Sequence, residues 1–468
     1  MDRKKSIDRL VVHFIGIGGI GMSALARYYK SHGCAVSGSD SAKSTITESI
    51  RKDAINVKIG HRKGNLPANV AVVVISQAIQ PNNPELKEAR QRGVRVLTYP
   101  EAIGELTREY KTIAVAGAHG KSTTTALAAL AGIRGGFDPT VIVGVNLKEF
   151  GGKNFRHGKS DWLVLEADEF GRAFLNYSPF IAIATNIDRE HLDVYKNLAN
   201  IKSTFLKFFS NVHPGGALIL NRDDKNLFSL KTRITAIAKK NKLRVVWYSI
   251  QGIGKNSGAS LKLKKLRGVI KISGEHNLSN AMAVYELGEI LKIPEEKIME
   301  AIGVYRGAWR RMEYRGKFFL SNSKQSIPVY DDYAHHPTEI RATLKAFKDK
   351  FSGAPLVCVF QPHQAKRLQV LFREFTSAFT NADALVLIPS YTVAGRDAVA
   401  SKFTAERLAT AITKKYPRKK IYYLENPKRI KKILTYILPF LTKISSPAPV
   451  VVMMGAGDVV QYTDVLID

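Results

Sequence analysis

Apolar segments of strand length alternate with helical stretches along the chain. The apolar segment LVVHFIGI at 10–17 leads into a glycine-rich turn at 16–21, and the segment after it has helical periodicity up to Gly33. Further short strands are predicted at 35–40, 70–75 and 94–97, with polar helical stretches between them. This alternation is typical of a parallel, doubly wound α/β sheet.

The same arrangement starts twice more, near Lys111 and near Tyr314. The strands predicted for these two blocks are 111–117, 162–165 and 181–185, then 356–360, 384–388, 421–424 and 450–454. The chain is therefore predicted to be α/β with three domains, and the boundaries that the blocks indicate are 1–110, 111–313 and 314–468.

A lysine-rich stretch interrupts the second block. The region from about 217 to 275 has shorter, strand-like segments, among them LKLKKLRGVIKI at 261–272. Its alternation of apolar residues with lysines predicts a half-exposed antiparallel strand whose lysines form a solvated face.

Composition narrows the class of protein. The 468 residues are 45% hydrophobic, which excludes intrinsic disorder and a disulfide-stapled mini-protein. Cys34 and Cys358, the two cysteines, are too few for a zinc cluster and fit a reducing compartment. The apolar run at 433–441 contains Pro439 and falls short of the roughly 20 residues that a spanning helix needs. We expect a cytoplasmic protein without membrane insertion.

The first candidate motif is the turn at 16–21, which fits GxGxxG. Gly16, Gly18, Gly19 and Gly21 follow a strand, and Asp40 ends the next strand, nineteen positions later. Glycines at these positions let the backbone approach a pyrophosphate at a helix N-terminus, and an acid at that distance suits a ribose hydroxyl. The motif predicts a nucleotide diphosphate. Alone, it also fits an NAD-dependent oxidoreductase.

The second candidate motif, GAHGKSTTT at 117–125, is more specific. It is the short GxxGK[ST][ST] form of a phosphate-binding loop. Backbone amides of such a loop surround the β- and γ-phosphates, Lys121 neutralises their charge, and the Ser122 hydroxyl suits Mg²⁺. The motif predicts a P-loop-type mononucleotide-binding ATPase domain, which a simple dehydrogenase does not need.

Together with other segments, the two motifs give the chain a family resemblance over nearly its whole length. The matching segments stand in the order HFIGIGGIGMSALA, ISQAIQPNNPEL, AVAGAHGKSTTT, LVLEADEFGRAFL, TNIDREHLDVY, GEHNLSNAMAV, WRRMEYRG, DDYAHHPTEI, FQPHQAKR and GAGD. The chain resembles the Mur ligases, ATP-dependent amide ligases of peptidoglycan precursor synthesis. The resemblance implies Rossmann-like first and third domains on either side of the ATP-binding domain. It also implies that UDP-N-acetylmuramate, L-alanine and ATP are the substrates and that an acyl phosphate is formed.

The resemblance assigns roles to individual residues. It implies that Lys121, Glu166, His191 and Arg311 are catalytic, and that Ser122, Glu166 and His191 bind Mg²⁺, with two ions expected. The implied ATP contacts are Gly117, Ala118, His119, Gly120, Lys121, Ser122, Thr123, His276, Asn280, Arg311 and Asp332. The implied UDP-substrate contacts are Gly16, Gly18, Gly19, Gly21, Asp40, His61, Ser76 and Gln77. The implied amino-acid contacts are Tyr333, His335, His363 and Arg367.

Three positions depart from the family pattern. Ser122 replaces the commoner Thr, Phe170-Gly171 follows EADE without the usual acidic group, and Gln364 stands where many relatives carry Arg. Two alternatives to the alanine ligase stay open besides the oxidoreductase: a ligase that attaches a recycled tripeptide, and a basic nucleic-acid-binding ATPase. The net charge of +31 suggests the latter, but no RNP or zinc-knuckle motif supports it.

Overall fold

A computed structural model describes residues 10–251, 257–320, 326–392, 402–441 and 447–467. The chain divides into two compact units. The first contains Met1–Glu190, Val194–Ile270 and Ser279–Tyr305, and the second contains His191–Asp193, Lys271–Leu278 and Arg306–Asp468. Two sheets lie in the first unit and one in the second.

The first sheet is fully parallel. Its strands are β1 (Val11–Ile15), β2 (Ala35–Asp40), β3 (Asn56–Ile59), β4 (Val72–Ile75) and β5 (Arg95–Thr98). Their spatial order is β3-β2-β1-β4-β5, so the strand order reverses beside β1. The helices between them are α1 (Ile20–Ser31), α2 (Thr45–Lys52), α3 (Pro84–Gln91) and α4 (Tyr99–Glu109). In open α/β sheets, ligands bind at the carboxyl ends of the strands next to such a reversal.

The second sheet has seven strands in the order β12-β11-β10-β6-β9-β7-β8. They are β6 (Lys111–Ala116), β7 (Thr140–Leu147), β8 (Lys153–Arg156), β9 (Trp162–Glu166), β10 (Ile181–Ala184), β11 (Ala217–Asn221) and β12 (Arg244–Tyr248). The pairing of β7 with β8 is antiparallel and the others are parallel. The helices of this part are α5 (Lys121–Arg134), α6 (Leu192–Tyr195), α7 (Leu198–Ser210), α8 (Lys225–Phe228), α9 (Lys231–Asn241), α10 (Gly258–Val269), α11 (Glu275–Leu291) and α12 (Glu295–Val304).

The third sheet has six strands in the order β13-β14-β18-β15-β16-β17. They are β13 (Glu313–Phe319), β14 (Ser326–Asp332), β15 (Leu356–Phe360), β16 (Ala384–Leu387), β17 (Lys420–Tyr423) and β18 (Val450–Met454), with β13 antiparallel to β14. The helices are α13 (Pro337–Lys350), α14 (Ala365–Val370), α15 (Phe372–Phe375), α16 (Ala405–Lys415), α17 (Ile430–Ile437) and α18 (Val459–Thr463). Along β15, Cys358 and Phe360 pack on one face while Val357 and Val359 pack on the other. Both faces are therefore covered, which explains the continuous apolar strands.

The predicted antiparallel strand at 261–272 is wrong, because most of this segment is α10. Ser257 caps the helix by accepting a hydrogen bond from the Ser260 N–H. Lys262 donates to Glu286 (3.0 Å) and Glu289 (2.7 Å), and Lys265 donates to Glu295 (2.8 Å). Acids on the neighbouring helices therefore favour a helix here, although the local alternation of apolar residues and lysines suggested a strand.

Buried polar contacts join the first sheet's helices to the second sheet. The guanidinium of Arg27, on α1, donates to Asp53 (2.7 Å), Ser49 (2.8 Å) and Asn154 of β8 (2.6 Å). Lys153 of β8 also contacts Asp53 at 2.5 Å. Arg27 is 6% exposed, so these bonds are shielded from water and tie the two sheets together.

Within the described ranges, none of the helices combines the length and the hydropathy that crossing a membrane requires.

Candidate active site

The loop between β6 and α5 has the conformation of a phosphate-binding loop. Gly117 has a φ of +133°, and a Cβ there would lie 2.1 Å from Thr185 Oγ1. Gly120 has a φ of +83° and directly precedes α5, and a Cβ there would lie 2.6 Å from Asn280 Oδ1. Both positions therefore require glycine, for backbone conformation and for space. Lys121, Ser122 and Thr123 form the first turn of α5, as the motif predicts.

Two residues that were not predicted from the sequence brace this loop. Thr185 Oγ1 donates to the His119 carbonyl at 2.6 Å. Asn186 makes two bonds to His119: its Nδ2 donates to the carbonyl and its Oδ1 accepts from the N–H, each at 2.9 Å. Both residues follow β10, the parallel neighbour of β6, so they lie at the same sheet edge as the loop. In the sequence, the position of these two residues is indicated by the segment TNID, which directly follows an apolar strand.

The ammonium group of Lys121 lies in a ring of oxygens. Nζ donates to the Gly117 carbonyl (2.7 Å) and to Glu169 Oε2 (2.9 Å), and it lies 4.0 Å from Asp168 Oδ1. The side chain of Glu169 is 3% exposed. Burial by itself would lower the pKa of Lys121, but the surrounding carboxylates raise it above its ordinary value. The loop therefore holds a permanent positive charge.

Glu166 and Ser122 bring two oxygen donors together beside that charge. Ser122 Oγ donates to Glu166 Oε1 at 3.2 Å, and the Gly144 N–H donates to Oε2 at 2.8 Å. Burial raises the pKa of Glu166, while the charge of Lys121 opposes the shift. A carboxylate and a hydroxyl are hard oxygen ligands, which is the donor chemistry that Mg²⁺ prefers. The residues present therefore fit the ion that the sequence predicts.

The predicted histidines of the ATP site have different surroundings. His119 Nε2 lies 3.0 Å from Asp188 Oδ2, after β10. His191 is half-buried with a φ of +53° and, like His276, belongs to the second compact unit. His276 and Asn280 are both on α11, as predicted. The roles of these residues stay predictions.

Backbone N–H groups of the glycine turn in the first sheet donate hydrogen bonds to the end of β2. The Gly16 and Ile17 N–H groups donate to the Ser39 carbonyl at 2.8 and 3.0 Å. The Gly18 N–H donates to Asp40 Oδ2 at 2.8 Å, so one oxygen of the predicted ribose ligand holds the turn itself. Gly19 precedes α1 and leaves its N-terminus without a side-chain cap. The predicted nucleotide contacts of this turn thus lie together at one sheet edge.

Two more of the predicted UDP-substrate residues, Ser76 and Gln77, lie against glycines. Ser76 follows β4, and a Cβ on Gly16 would lie 2.9 Å from Ser76 Cβ. Gly171 has a φ of +59°, which favours glycine, and a Cβ there would lie 2.8 Å from Gln77 Nε2. A Cβ on Gly21 would lie 2.7 Å from the Tyr99 ring. Burial, with the nearby charges of Glu166 and Asp168, raises the pKa of Tyr99.

In the second unit, the predicted amino-acid ligands are neighbours. The rings of Tyr333 and His335 have centroids 5.3 Å apart, and those of His335 and His363 are 5.9 Å apart. Arg367 Nη1 lies 3.2 Å from His363 Nδ1. The structure thus places Tyr333, His335, His363 and Arg367 in one cluster after β14 and β15.

Tyr391 also belongs to this cluster, although it was not predicted from the sequence. Its ring stacks on His363 with centroids 5.5 Å apart and planes within 6°. Its carbonyl accepts from the Gln364 N–H at 3.2 Å, and Gln364 itself has a φ of +65°. The bend at Gln364 directs the chain into α14, which carries Arg367.

The paired arginines of this unit differ in role. Arg310 is 4% exposed and donates to the Gly457 carbonyl at 2.9 Å, and it also contacts the carbonyl of Gly455. It therefore holds the GAGD turn. Arg311 is half-buried, with its guanidinium 5.2 Å from the Tyr333 ring centroid and 3.8 Å from Glu339. Of the two, Arg311 is the one with partial access to a ligand.

Asp332, predicted to contact ATP, has many partners in the protein. Its oxygens accept from the Met312 N–H (2.8 Å), the Ala334 N–H (2.9 Å) and the Thr343 hydroxyl (3.3 Å). Burial raises its pKa, and the charge of Arg311 opposes the shift. Asp332 thus shapes the segment that carries Tyr333 and His335, whatever ligand it contacts.

The phosphate loop provides a direct test of the geometry. Replacing Gly117 by Ala would place a methyl group on Thr185 at a φ that disfavours alanine, so we expect nucleotide affinity to fall by at least about tenfold. The measurement is calorimetric binding of ATP. Gly268→Ala is the control, because a Cβ at Gly268, on α10, meets nothing within 4 Å. Equal affinity of the Gly117→Ala variant and the control would show that the loop tolerates a side chain there.

Three family models match the chain in succession. They are described as Mur ligase family, catalytic domain (residues 11–111), Mur ligase middle domain (115–288) and Mur ligase, glutamate ligase domain (310–457). A UDP-N-acetylmuramate–L-alanine ligase from Desulforapulum autotrophicum is 36% identical over 471 residues, covering 98% of each chain. A protein of the same name from Clostridium perfringens is 35% identical and covers 100% of this chain and 99% of its own.

Solved structures agree with these matches. UDP-N-acetylmuramate-alanine ligase from Thermotoga maritima superposes with a TM-score of 0.75 at 25% identity, covering 98% of each chain. A murein peptide ligase from Psychrobacter arcticus shares the fold, with a TM-score of 0.66 at 20% identity and the same coverage. The predicted three-domain α/β fold is thereby confirmed. With three successive domain matches and relatives above 30% identity along nearly its whole length, the chain belongs to the Mur ligase family.

Proposed function

We propose that this protein is the ATP-dependent ligase that joins L-alanine to the carboxylate of UDP-N-acetylmuramate in peptidoglycan precursor synthesis. The observation that carries the proposal is the phosphate loop, whose Lys121 donates to Glu169, within a chain that is 35–38% identical to alanine ligases. A cytoplasmic location and the domain boundaries at 110/111 and 313/314 belong to the same proposal.

The reaction would run in two chemical steps. A carboxylate oxygen of the sugar substrate attacks the γ-phosphorus of ATP, forming a C–O–P linkage while the bond to the β,γ-bridging oxygen breaks and ADP leaves. The amine of alanine then attacks the acyl carbon, the C–O bond breaks, and phosphate departs with its electron pair. The amine nitrogen loses a proton as the amide forms. The barrier in the first step is largely electrostatic, because an anion attacks a polyanion.

The residues of the loop fit that requirement. Lys121, which is permanently charged, would leave Glu169 for the phosphate oxygens, since these carry the larger negative charge. The N–H groups at the start of α5 would bind the β-phosphate. Mg²⁺ bound by Ser122 and Glu166 would supply further positive charge to the phosphates. The family resemblance predicts a second Mg²⁺ ion and implies that His191 is also a ligand of the metal.

In the second unit, the cluster around His363 suits the amino-acid substrate. Arg367 would bind the carboxylate of alanine through its guanidinium, and the rings of Tyr333 and His335 would border the side chain. Because Gln364 replaces an arginine common in the family, we expect weaker carboxylate binding than in relatives that carry it.

The other three candidate functions have less support than the alanine ligase. The phosphate loop, whose Lys121 pairs with Glu169, has no purpose in the hydride transfer of an NAD-dependent enzyme. A nucleic-acid-dependent ATPase rests on charge alone. A murein peptide ligase shares the fold, but with a lower TM-score (0.66) than the alanine ligase from Thermotoga maritima (0.75).

One assay separates these possibilities. Phosphate release from ATP is measured with UDP-N-acetylmuramate present, against single amino acids, a tripeptide, NAD and DNA. We expect L-alanine to give the highest kcat/KM. Faster turnover with the tripeptide would establish the recycling ligase instead.

The metal ligand is tested by Glu166→Gln. Loss of the charge should raise the Mg²⁺ concentration needed for activity and slow turnover by at least tenfold, about 1.4 kcal/mol. Initial rates are measured against Mg²⁺ concentration at saturating ATP. Asp161→Asn is the control, because this exposed carboxylate precedes the opposite end of the same strand. An unchanged Mg²⁺ titration would mean that Glu166 is a structural acid.

The acceptor cluster is tested by Arg367→Ala. We expect a higher KM for alanine while the KM for ATP stays within about twofold, since a selective effect marks lost acceptor binding. The exposed Arg373, on α15, gives the control variant Arg373→Ala. Unaltered alanine kinetics in Arg367→Ala would place the pocket elsewhere.

A further inference from the structure

A buried polar network lies behind the glycine turn of the first sheet. Glu85, in the first turn of α3, is fully buried. Its Oε2 accepts from Ser39 Oγ (2.6 Å) and lies 3.0 Å from His13 Nε2, while its Oε1 accepts from Asn65 Nδ2 (2.7 Å) and the Arg62 N–H (3.1 Å). Nothing in the proposed reaction explains a carboxylate so completely enclosed.

Glu85 is ionised in this setting. Burial opposes ionisation, but the hydrogen bonds from His13, Ser39 and Asn65 outweigh it and lower the pKa of Glu85 to about 2. At neutral pH both carboxylate oxygens are therefore acceptors, and the Ser39 hydroxyl donates its one proton in the hydrogen bond to Oε2.

The network ends at His61, one of the predicted UDP-substrate residues. His61 Nδ1 lies 3.0 Å from Ser39 Oγ and 3.6 Å from Glu85 Oε1. Because the Ser39 proton is committed to Glu85, Ser39 offers His61 a lone pair, so Nδ1 carries the proton and donates. In neutral His61, Nε2 is then an acceptor, and within the part of the chain that the structure describes it makes no hydrogen bond.

The position of His61 suits a nucleotide contact. It follows β3 beside Gly60, whose N–H donates to the Asp40 carbonyl at 2.7 Å. Its side chain is 19% exposed, whereas Glu85 and His13 are at 0%. The residue thus lies at the carboxyl edge of the first sheet, beside the glycine turn, with a buried base behind it.

We propose that Glu85, acting through Ser39, is a positioning residue that fixes the ring and tautomer of His61, so that Nε2 accepts a hydrogen bond from the uridine part of the substrate. This inference rests on the proposed UDP-sugar substrate. The matching donor is either the imide N–H of uracil or a ribose hydroxyl. Such an indirect role for a buried carboxylate is like that of groups that orient metal-binding or catalytic histidines.

The test is a double-mutant cycle with UDP as the probe in calorimetry. Glu85→Gln, Ser39→Ala and His61→Ala should each raise the Kd of UDP by about tenfold, or about 1.4 kcal/mol. Adding Glu85→Gln or Ser39→Ala to His61→Ala should raise it no further, because both act through His61. Glu88→Gln, on the same helix and paired with Arg92, is the control and should bind as the wild type does.

Additive losses in the double variants would overturn the proposal, since they would show that Glu85 acts on the fold rather than on His61. Ser39→Ala keeps the result decisive if Glu85→Gln does not fold, because it removes the link while Glu85 keeps its His13 and Asn65 contacts. The KM for ATP should stay within about twofold in every variant.

Three analogues identify the donor. 3-Methyluridine diphosphate lacks the imide N–H, whereas 2′-deoxyuridine diphosphate and 3′-deoxyuridine diphosphate each lack one ribose hydroxyl. One of them should bind the wild type more weakly than UDP and bind His61→Ala as UDP does. If none behaves so, the acceptor role of Nε2 is wrong. Amide formation by the wild type from UDP-N-acetylmuramate and alanine tests the proposed function separately, so the two failures are distinguishable.

Discussion

The contact between the Lys121 ammonium group and the carboxylates after β9 constrains the chemistry of the central sheet. Glu169 lies 2.9 Å away and Asp168 4.0 Å away, in surroundings where the Glu169 side chain is 3% exposed. Charges in such a place interact more strongly than at the surface, and an unbalanced one is costly. A triphosphate entering this site brings more negative charge than the lysine alone offsets. Additional cations are therefore required, and the Ser122–Glu166 pair gives them hard oxygen ligands.

Close backbone approach is the second constraint. At Gly117 and Gly120 a side chain would collide with Thr185 and Asn280, so the loop packs against the elements that brace it. Gly171 has the same relation to Gln77, and Gly16 to Ser76, across the residues predicted to bind the UDP substrate. The Tyr99 ring packs in the same way against Gly21, where a Cβ would lie 2.7 Å from the ring. These glycines let the nucleotide turn and the phosphate loop stay close to rigid neighbours, which is how a site is preorganised.

The local elements were largely predictable from the sequence because parallel strands buried on both faces form continuous apolar runs, as in β6, β9, β15 and β18. α13 begins at Pro337, a residue type that suits the first helical position. The short strands β3 and β8 were missed, since these edge strands, which contain Lys58 and Lys153, lack that pattern. The longer β7, which lies inside the second sheet, was missed as well. The alternation of apolar residues and lysines in α10 predicts a strand. It does not reveal that these lysines meet acids on α11 and α12, which favour the helix. In the same way, Thr185, Asn186, Glu169 and Tyr391 reach the sites through neighbouring strands, so their partners could not be found from spacing along the chain.

Amide formation by Lys121→Ala tests the account most directly, because it removes the charge on which the phosphate loop depends. We predict that product formation from UDP-N-acetylmuramate, L-alanine and ATP is lost, while the Kd of UDP-N-acetylmuramate stays within about twofold of the wild type, since transfer and binding use different elements. Lys111→Ala, at the exposed opposite end of β6, is the matched control and should keep full activity. Near-wild-type turnover by Lys121→Ala would contradict the account.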